Sequence, residues 1–234
     1  AIFCHVHSHS GSYGQKLKSF PLSKFMVTKD SSADFDPLEY MIESAHKQGL
    51  SFHAWVNPYR VTNSMMKNIP DNSIVKQWMG DPSKQRNVLL HDGSYYLNPS
   101  SAEVRSYLVN SISEICKNYA IDGVQFDDYF YPSLNDGDPA KSFDKAEYDA
   151  SGSSLGITQW RRENVSMLVK DVYKAVHEAR PQAVFGISPV ALLSNLRSDK
   201  SYFVDIDTWM ASNEYMDYIM PQFYHGFEAK TKTG

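Results

Sequence analysis

Two neighbouring carboxylates at the end of an apolar run are the clearest chemistry in this chain. They are Asp127 and Asp128, in the segment Asp122-Gly-Val-Gln-Phe-Asp-Asp-Tyr-Phe-Tyr-Pro132. Side chains alternate along a strand, so Val124, Phe126 and Asp128 share one side while Gln125 and Asp127 share the other. Acids beside an apolar strand are costly unless hydrogen-bonded or used. One carboxyl group can act as nucleophile or base while a second acts as general acid. Tyr129 and Tyr131 follow, and their flat faces suit stacking on sugar rings. The plainer alternative is an Asp that caps the loop after the strand. Asp122, at the other end of the same strand, is read as structural.

Three further segments place polar groups just past strand-like runs. In Phe52-His-Ala-Trp-Val-Asn-Pro-Tyr-Arg60, His53, Trp55 and Asn57 share a face. His53 and Trp55 are expected to fill an interior, whereas Asn57, Tyr59 and Arg60 read as a substrate wall. Gly186-Ile-Ser-Pro189 brings Ser188 to a strand end, and Pro221-Gln-Phe-Tyr-His225 brings Gln222 and Tyr224. Cys4-His-Val-His-Ser-His9 resembles the His-x-His opening of metal-dependent hydrolases. Further ligands should then come from later strand ends, but His53 lies near a strand start, His177 in a helix, and only His225 past a strand end. The set looks incomplete, and no metal or other cofactor is expected. Arg161 and Arg162 sit in the first turn of a helix, where the helix dipole disfavours positive charge, so an acidic partner in a salt bridge is expected. Asp205 and Asp207 read as a solvated helix start. There is no Gly-x-Ser-x-Gly elbow and no P-loop. Asn164-Val-Ser166 matches a glycosylation acceptor inside a predicted helix, where the match is read as chance.

The elements that must position these groups alternate. Strands are predicted at 2–7, 50–56, 121–127, 183–187 and 218–223. Asp36-Pro37-Leu38-Glu39 predicts a capped helix start, with Leu38, Met41, Ile42 and Ala45 on one face and Gly49 at its end. Ser100-x-x-Glu103 reads as a capping box before Val104, Leu108, Ile112, Ile115 and Tyr119. Helices are also predicted over 158–179, near 73–79 and over about 201–213, with long loops at 58–98 and 129–156. Continuous apolar strands between helices belong to parallel sheets covered on their faces. No Gly-rich turn follows a strand, so a dinucleotide fold gains no support. A (β/α)8 TIM-type barrel fits better, because the long polar excursions follow strands, where such barrels build active sites. Five strands cannot close it, so the barrel is expected to be incomplete here. The remaining strands would lie before residue 1 and after residue 234.

Composition is ordinary for a globular protein. The chain has 234 residues, 42% hydrophobic and 21% charged, with a net charge of −4. No basic block suggests nucleic acid as a partner. No apolar run approaches the roughly 18 residues of a membrane span. Two cysteines, Cys4 and Cys116, are too few for a disulfide scaffold. We expect one barrel domain over 1–234. The chain starts inside a strand with Ala1, which reads as a piece of a longer polypeptide, so a missing signal segment says little about compartment.

Six ordered motifs carry a resemblance: His53-Ala-Trp-Val-Asn-Pro-Tyr-Arg60, Leu97-Asn-Pro99, Asp122 to Pro132, Trp160-Arg-Arg-Glu-Asn164, Gly186-Ile-Ser-Pro189 and Asp217-Tyr-Ile-Met-Pro-Gln-Phe-Tyr224. In order and spacing they are similar to the bacterial glycosyl-hydrolase-like family ten, which differs from the family-ten xylanases. The resemblance implies a TIM barrel, an extracytoplasmic protein, often lipid-anchored, and cleavage of glycan chains. One branch acts on peptidoglycan strands stripped of stem peptides. The family usually has Gln-Val-Arg where this chain has His5-Val-His7, followed by a Gly-Asp pair not found near Gly11. By this resemblance Asp127 is expected as nucleophile or base. Asp128, Glu228 or an acid from an absent strand would serve as the partner. The alternatives are a metal hydrolase built on His5, His7 and His9, and a barrel that binds glycan through Tyr129, Tyr131, Trp55 and Arg60 without cleaving it.

Overall fold

The computed structural model describes residues 1–8, 10–26, 35–62, 69–128, 130–134, 144–224 and 226. In chain order the elements are β1 (Ile2–Ser8), β2 (Gly11–Ser12), α1 (Pro37–Lys47), β3 (Phe52–Val56), β4 (Arg60–Thr62), α2 (Ile74–Gly80), β5 (Val88–His91), β6 (Ser94–Leu97) and α3 (Ala102–Asn118). They continue with β7 (Gly123–Phe126), α4 (Lys145–Ser151), α5 (Ile157–Ala179), β8 (Val184–Ile187), α6 (Leu193–Leu196), α7 (Ile206–Met210) and β9 (Tyr218–Ile219). Among the described residues β1, β3, β7, β8 and β9 pair in that order, each parallel to the next, and β2 adds an antiparallel edge to β1. The sheet does not close on itself. It is the open arc of a (β/α) barrel, as the strand–helix alternation predicts.

Strand alternation divides the sheet into two chemistries. Val6, Ala54, Val56, Val124, Phe126, Phe185 and Ile187 face the helices and are buried with Leu38, Ile42, Val104, Leu108, Ile112, Leu168 and Val172 in one cluster. That cluster takes in the apolar faces of α1, α3 and α5. The other face carries Phe3, His53, Trp55, Gln125 and Tyr218, whose rings and amide meet inside the arc. At the N-terminal rim one device appears twice. Asp122, just before β7, accepts the Phe52 backbone N–H at 2.7 Å, with His46 Nε2 at 2.7 Å. Asp217, just before β9, accepts the Phe185 N–H at 2.7 Å, with His177 Nε2 at 3.1 Å. Each carboxylate ties the start of its strand to the strand beside it and to the helix before that neighbour.

Several expectations need correction. The 58–98 excursion holds a second sheet, β4–β6–β5, as well as α2. Its β5–β6 hairpin turns on Asp92-Gly93, both at positive φ (45° and 71°). That Asp-Gly signal is legible in the sequence. Ser101, not Ser100, caps α3 and accepts the Val104 N–H, while Glu103 turns to Lys84 and Asn87. The helix expected over 201–213 is only Ile206–Met210, because Tyr202 and Phe203 adopt left-handed backbone (φ 59° and 50°), which a right-handed helix cannot contain. Regular pairing in β9 stops at Ile219, and Gln222 contributes only an isolated bridge to Val190. The 129–156 loop contains α4.

Candidate active site

Asp127 follows β7, the middle strand of the arc, and is 2% exposed. Two donors converge on one of its oxygens. Trp55 Nε1–H reaches Oδ2 at 3.1 Å and Asn57 Nδ2–H at 3.2 Å. Both come from β3 and the residue after it, next to β7 in the sheet. Asn57 is itself fixed, because its Oδ1 accepts the Arg60 backbone N–H at 3.0 Å. Charge-assisted bonds of this kind are the stronger ones, and here they hold a buried carboxylate at a defined angle.

Asp127 opens onto a pocket of about 340 Å³ lined by Phe3, Trp55, Gln125, Ser188, Pro221, Gln222 and Tyr224, among others. Asp127, Ser188 and Gln222 all follow the carboxyl ends of their strands, the end where such barrels carry their chemistry. Gln222 Nε2–H donates to the Ser188 carbonyl at 2.6 Å, and Tyr224 hydrogen-bonds Gln222 Oε1 through its hydroxyl. Tyr224 is 81% exposed, an aromatic face open at the rim. Asp128, the next residue, is half-buried within reach of Gln222, which lines the same pocket. Burial pushes its carboxyl above the ordinary range, against the smaller opposing effects of Gln222 and Arg60. Two adjacent acids thus sit in different environments, one gripped by donors and one desolvated.

The expected residues divide. Asn57, Gln125, Asp127, Ser188, Gln222 and Tyr224 are brought together, with Arg60 half-buried just behind Asn57. Tyr59 and Tyr131, expected to face substrate, are core residues only 1% and 2% exposed. Burial raises both hydroxyls far above the ordinary range. Tyr131 instead packs on Phe203 and the Arg161 guanidinium, which pairs with the fully buried Asp144 through Nη2 at 2.5 Å and Nε at 2.9 Å. Arg162 pairs with Asp199 at 2.8 Å, so both helix-start arginines have the acidic partners expected of them. Asp205 caps α7 and Asp207 pairs with Arg197. Tyr129, His9, His225 and Glu228 lie outside the described residues.

Trp55, read from the sequence as interior filling or as a glycan-stacking ring, also donates to Asp127, a contact the sequence reading did not foresee. Its alternation with Asn57 and its neighbour position to Gln125 were the available signals. The histidine run splits. A register shift in β1 between His5 and His7 leaves His5 stacked on Trp55 (4.6 Å between centroids) and His7 stacked on Phe20 (3.8 Å).

Residues 13–233 match the family described as glycosyl hydrolase-like 10. The chain belongs to this family. It is 34% identical to the glycosyl hydrolase YngK of Bacillus subtilis (strain 168), over 89% of this chain and 43% of that protein. It is 32% identical to the glycosyl hydrolase DigH of Escherichia coli (strain K12), over 90% of this chain and 51% of that protein. The chain therefore spans about half the length, or less, of these curated relatives. In structure it is similar to an alpha-L-fucosidase, isoenzyme 2 from Paenibacillus thiaminolyticus, with a TM-score of 0.52, 12% identity, and coverage of 80% of this chain and 26% of that one. That likeness concerns the barrel fold alone. Among the described residues no helix is long and apolar enough to cross a membrane.

Proposed function

We propose that this chain carries the reacting carboxylate of a glycoside hydrolase that cuts bacterial cell-wall glycan. The observation that carries the reading is Asp127, buried yet open to a pocket at the carboxyl end of the central strand and held through one oxygen by Trp55 and Asn57. The family supports hydrolysis of a glycosidic bond, and the relatives carry glycosyl hydrolase names. Asp127 acts as nucleophile on the anomeric carbon or as base toward water. Asp128 is the available acid, since desolvation moves its carboxyl toward the protonated form that must donate to the leaving oxygen. Trp55 and Tyr224 supply apolar faces for sugar rings, and Gln125, Ser188 and Gln222 supply polar contacts. The substrate we assign is peptidoglycan strands without stem peptides, and the setting is extracytoplasmic.

The test uses the full-length protein, amidase-stripped glycan strands and mass spectrometry of the products. Wild type should shorten the strands with or without chelator, and Asp127→Asn should lose on the order of 10³-fold in rate. Near-wild-type hydrolysis by Asp127→Asn would overturn the assignment, and chelator-sensitive cleavage would move it to the histidines. If Asp128 is the acid, activity should fall as pH rises through its raised pKa, and Asp128→Asn should remove that alkaline limb.

A further inference from the structure

A hydrogen-bonded chain crosses the inside of the arc just below the pocket, joining three strands. His53 on β3 and Tyr218 on β9 would be separated by two intervening strands if each side chain stood over its own backbone. They meet because glycines vacate the space between them. A Cβ on Gly123 of β7 would lie 2.5 Å from His53 Nδ1, and one on Gly186 of β8 would lie 2.1 Å from the Tyr218 ring. The imidazole and the phenol each lean across a neighbouring strand through the gap where a side chain is missing. His53 Nδ1 then lies 3.0 Å from the Tyr218 hydroxyl, which donates to Gln125 Oε1 at 3.4 Å. Phe3 packs against both rings, at 4.7 Å and 6.4 Å between centroids.

The proton order along this chain is set by the direction of the Tyr218–Gln125 hydrogen bond. Tyr218 has one hydroxyl proton, and it goes to Gln125 Oε1. The contact with His53 then needs a hydrogen from Nδ1, so the imidazole carries its proton there. Burial lowers the His53 pKa, in keeping with a neutral ring. With its carbonyl oxygen turned toward Tyr218, Gln125 has its NH2 group left for the pocket it lines beside Asp127.

We propose that Tyr218, backed by His53, is a positioning residue that fixes Gln125 as an N–H donor to an acceptor oxygen of the sugar bound beside Asp127. The inference rests on the glycosidase reading above and deepens it, assigning the pocket a directional contact set from two strands away. Gly123 and Gly186 are then requirements of the site as well as of the sheet, since any side chain there would block the chain of contacts.

The experiment measures kcat and KM of the full-length protein on amidase-stripped glycan strands for wild type, Tyr218→Phe, Gln125→Ala and the double variant. Tyr218→Phe keeps the ring over Gly186 and removes only the hydroxyl. It should raise KM about three- to tenfold and leave kcat within about twofold, the scale of one neutral hydrogen bond. The double variant should be no worse than Gln125→Ala alone. An unchanged KM for Tyr218→Phe, or losses that multiply in the double variant, would overturn the inference while leaving hydrolysis by Asp127 intact. Should Tyr218→Phe fail to fold, His53→Phe leaves Tyr218 unsupported and should raise KM in the same direction, and an unchanged KM there counts against the proposal. Absence of turnover in the wild type would refute the glycosidase reading by itself. Calorimetric affinity for the same strands then decides: weaker binding by Tyr218→Phe supports the positioning role, and equal binding, or none by wild type, overturns it.

Discussion

Replacing Trp55 with Phe isolates the contact on which the reading of Asp127 depends. Trp55→Phe deletes the Nε1–H that reaches Asp127 Oδ2 at 3.1 Å and keeps an aromatic ring in the stack with His5. A hydrogen bond to a charged group contributes about 1.5–3 kcal/mol net. At about 1.4 kcal/mol per tenfold in rate, its full loss corresponds to about ten- to a hundredfold in kcat/KM. Asn57 Nδ2 still holds the same oxygen at 3.2 Å, so the lower half of that range is expected. The loss should fall mainly on kcat, because the carboxylate is misaimed while an aromatic ring still lines the pocket at position 55. The assay is steady-state release of new reducing ends from amidase-stripped glycan strands, with urea unfolding run alongside to confirm intact stability. A double-mutant cycle with Asp127→Asn supplies the control. If Trp55 works by holding Asp127, Trp55→Phe should cost less than about twofold once Asp127 is Asn. A Trp55→Phe enzyme within twofold of wild type, or an equal penalty in both backgrounds, refutes the reasoning.

Other perturbations probe the frame around the site. Arg161→Met leaves the fully buried Asp144 carboxylate without its guanidinium and should cost about 3–5 kcal/mol, a fall of about 1–2 M in urea midpoint, whereas Arg161→Met with Asp144→Leu should recover much of it. Gly186→Ala forces a methyl group into the Tyr218 ring and should destabilise by about 1–3 kcal/mol, with Tyr218 displaced from Gln125 in the near-UV circular dichroism and in KM. Burial alone would raise the Asp122 pKa, but the Phe52 N–H and His46 outweigh it and hold the carboxyl below the ordinary range. A carboxyl depressed in the folded state stabilises above its unfolded pKa and loses that contribution as pH falls through the folded one. Asp122→Asn should therefore lower the urea midpoint near neutral pH, and the gap to wild type should close in acid. A gap that is constant with pH would show that the charge is not what matters.

Much of the arrangement was legible because it is local. The period of two in Val124-Gln-Phe-Asp127 is a property of any extended backbone, so the sides taken by Gln125 and Asp127 followed from the strand assignment alone. The same holds for the Asp36 cap, which accepts the Leu38 and Glu39 N–H groups as its spacing implies, and for the apolar stripes of α1, α3 and α5. The strand–helix alternation specified a parallel, helix-covered sheet, and ordered motifs across nearly the whole chain specified the family.

The tertiary structure decided what depends on partners distant in sequence. Tyr59 and Tyr131 have the composition of a binding wall, but only the packed loops reveal that Phe203, Arg161 and Asp144 enclose Tyr131. His5 and His7 alternate on paper as one ligand set, yet β1 shifts register against β3 between them and they stack on different rings. Trp55 reaches Asp127 across 72 positions of sequence, and Tyr218 reaches Gln125 across 93. No window of periodicity spans such distances, and each contact exists only because two strands lie side by side or a glycine clears the path between them. The sequence thus determined which side chains face the inside of the arc, since that is set by backbone geometry residue by residue. Which of them touch was set by the closing of long loops and the competition for buried space.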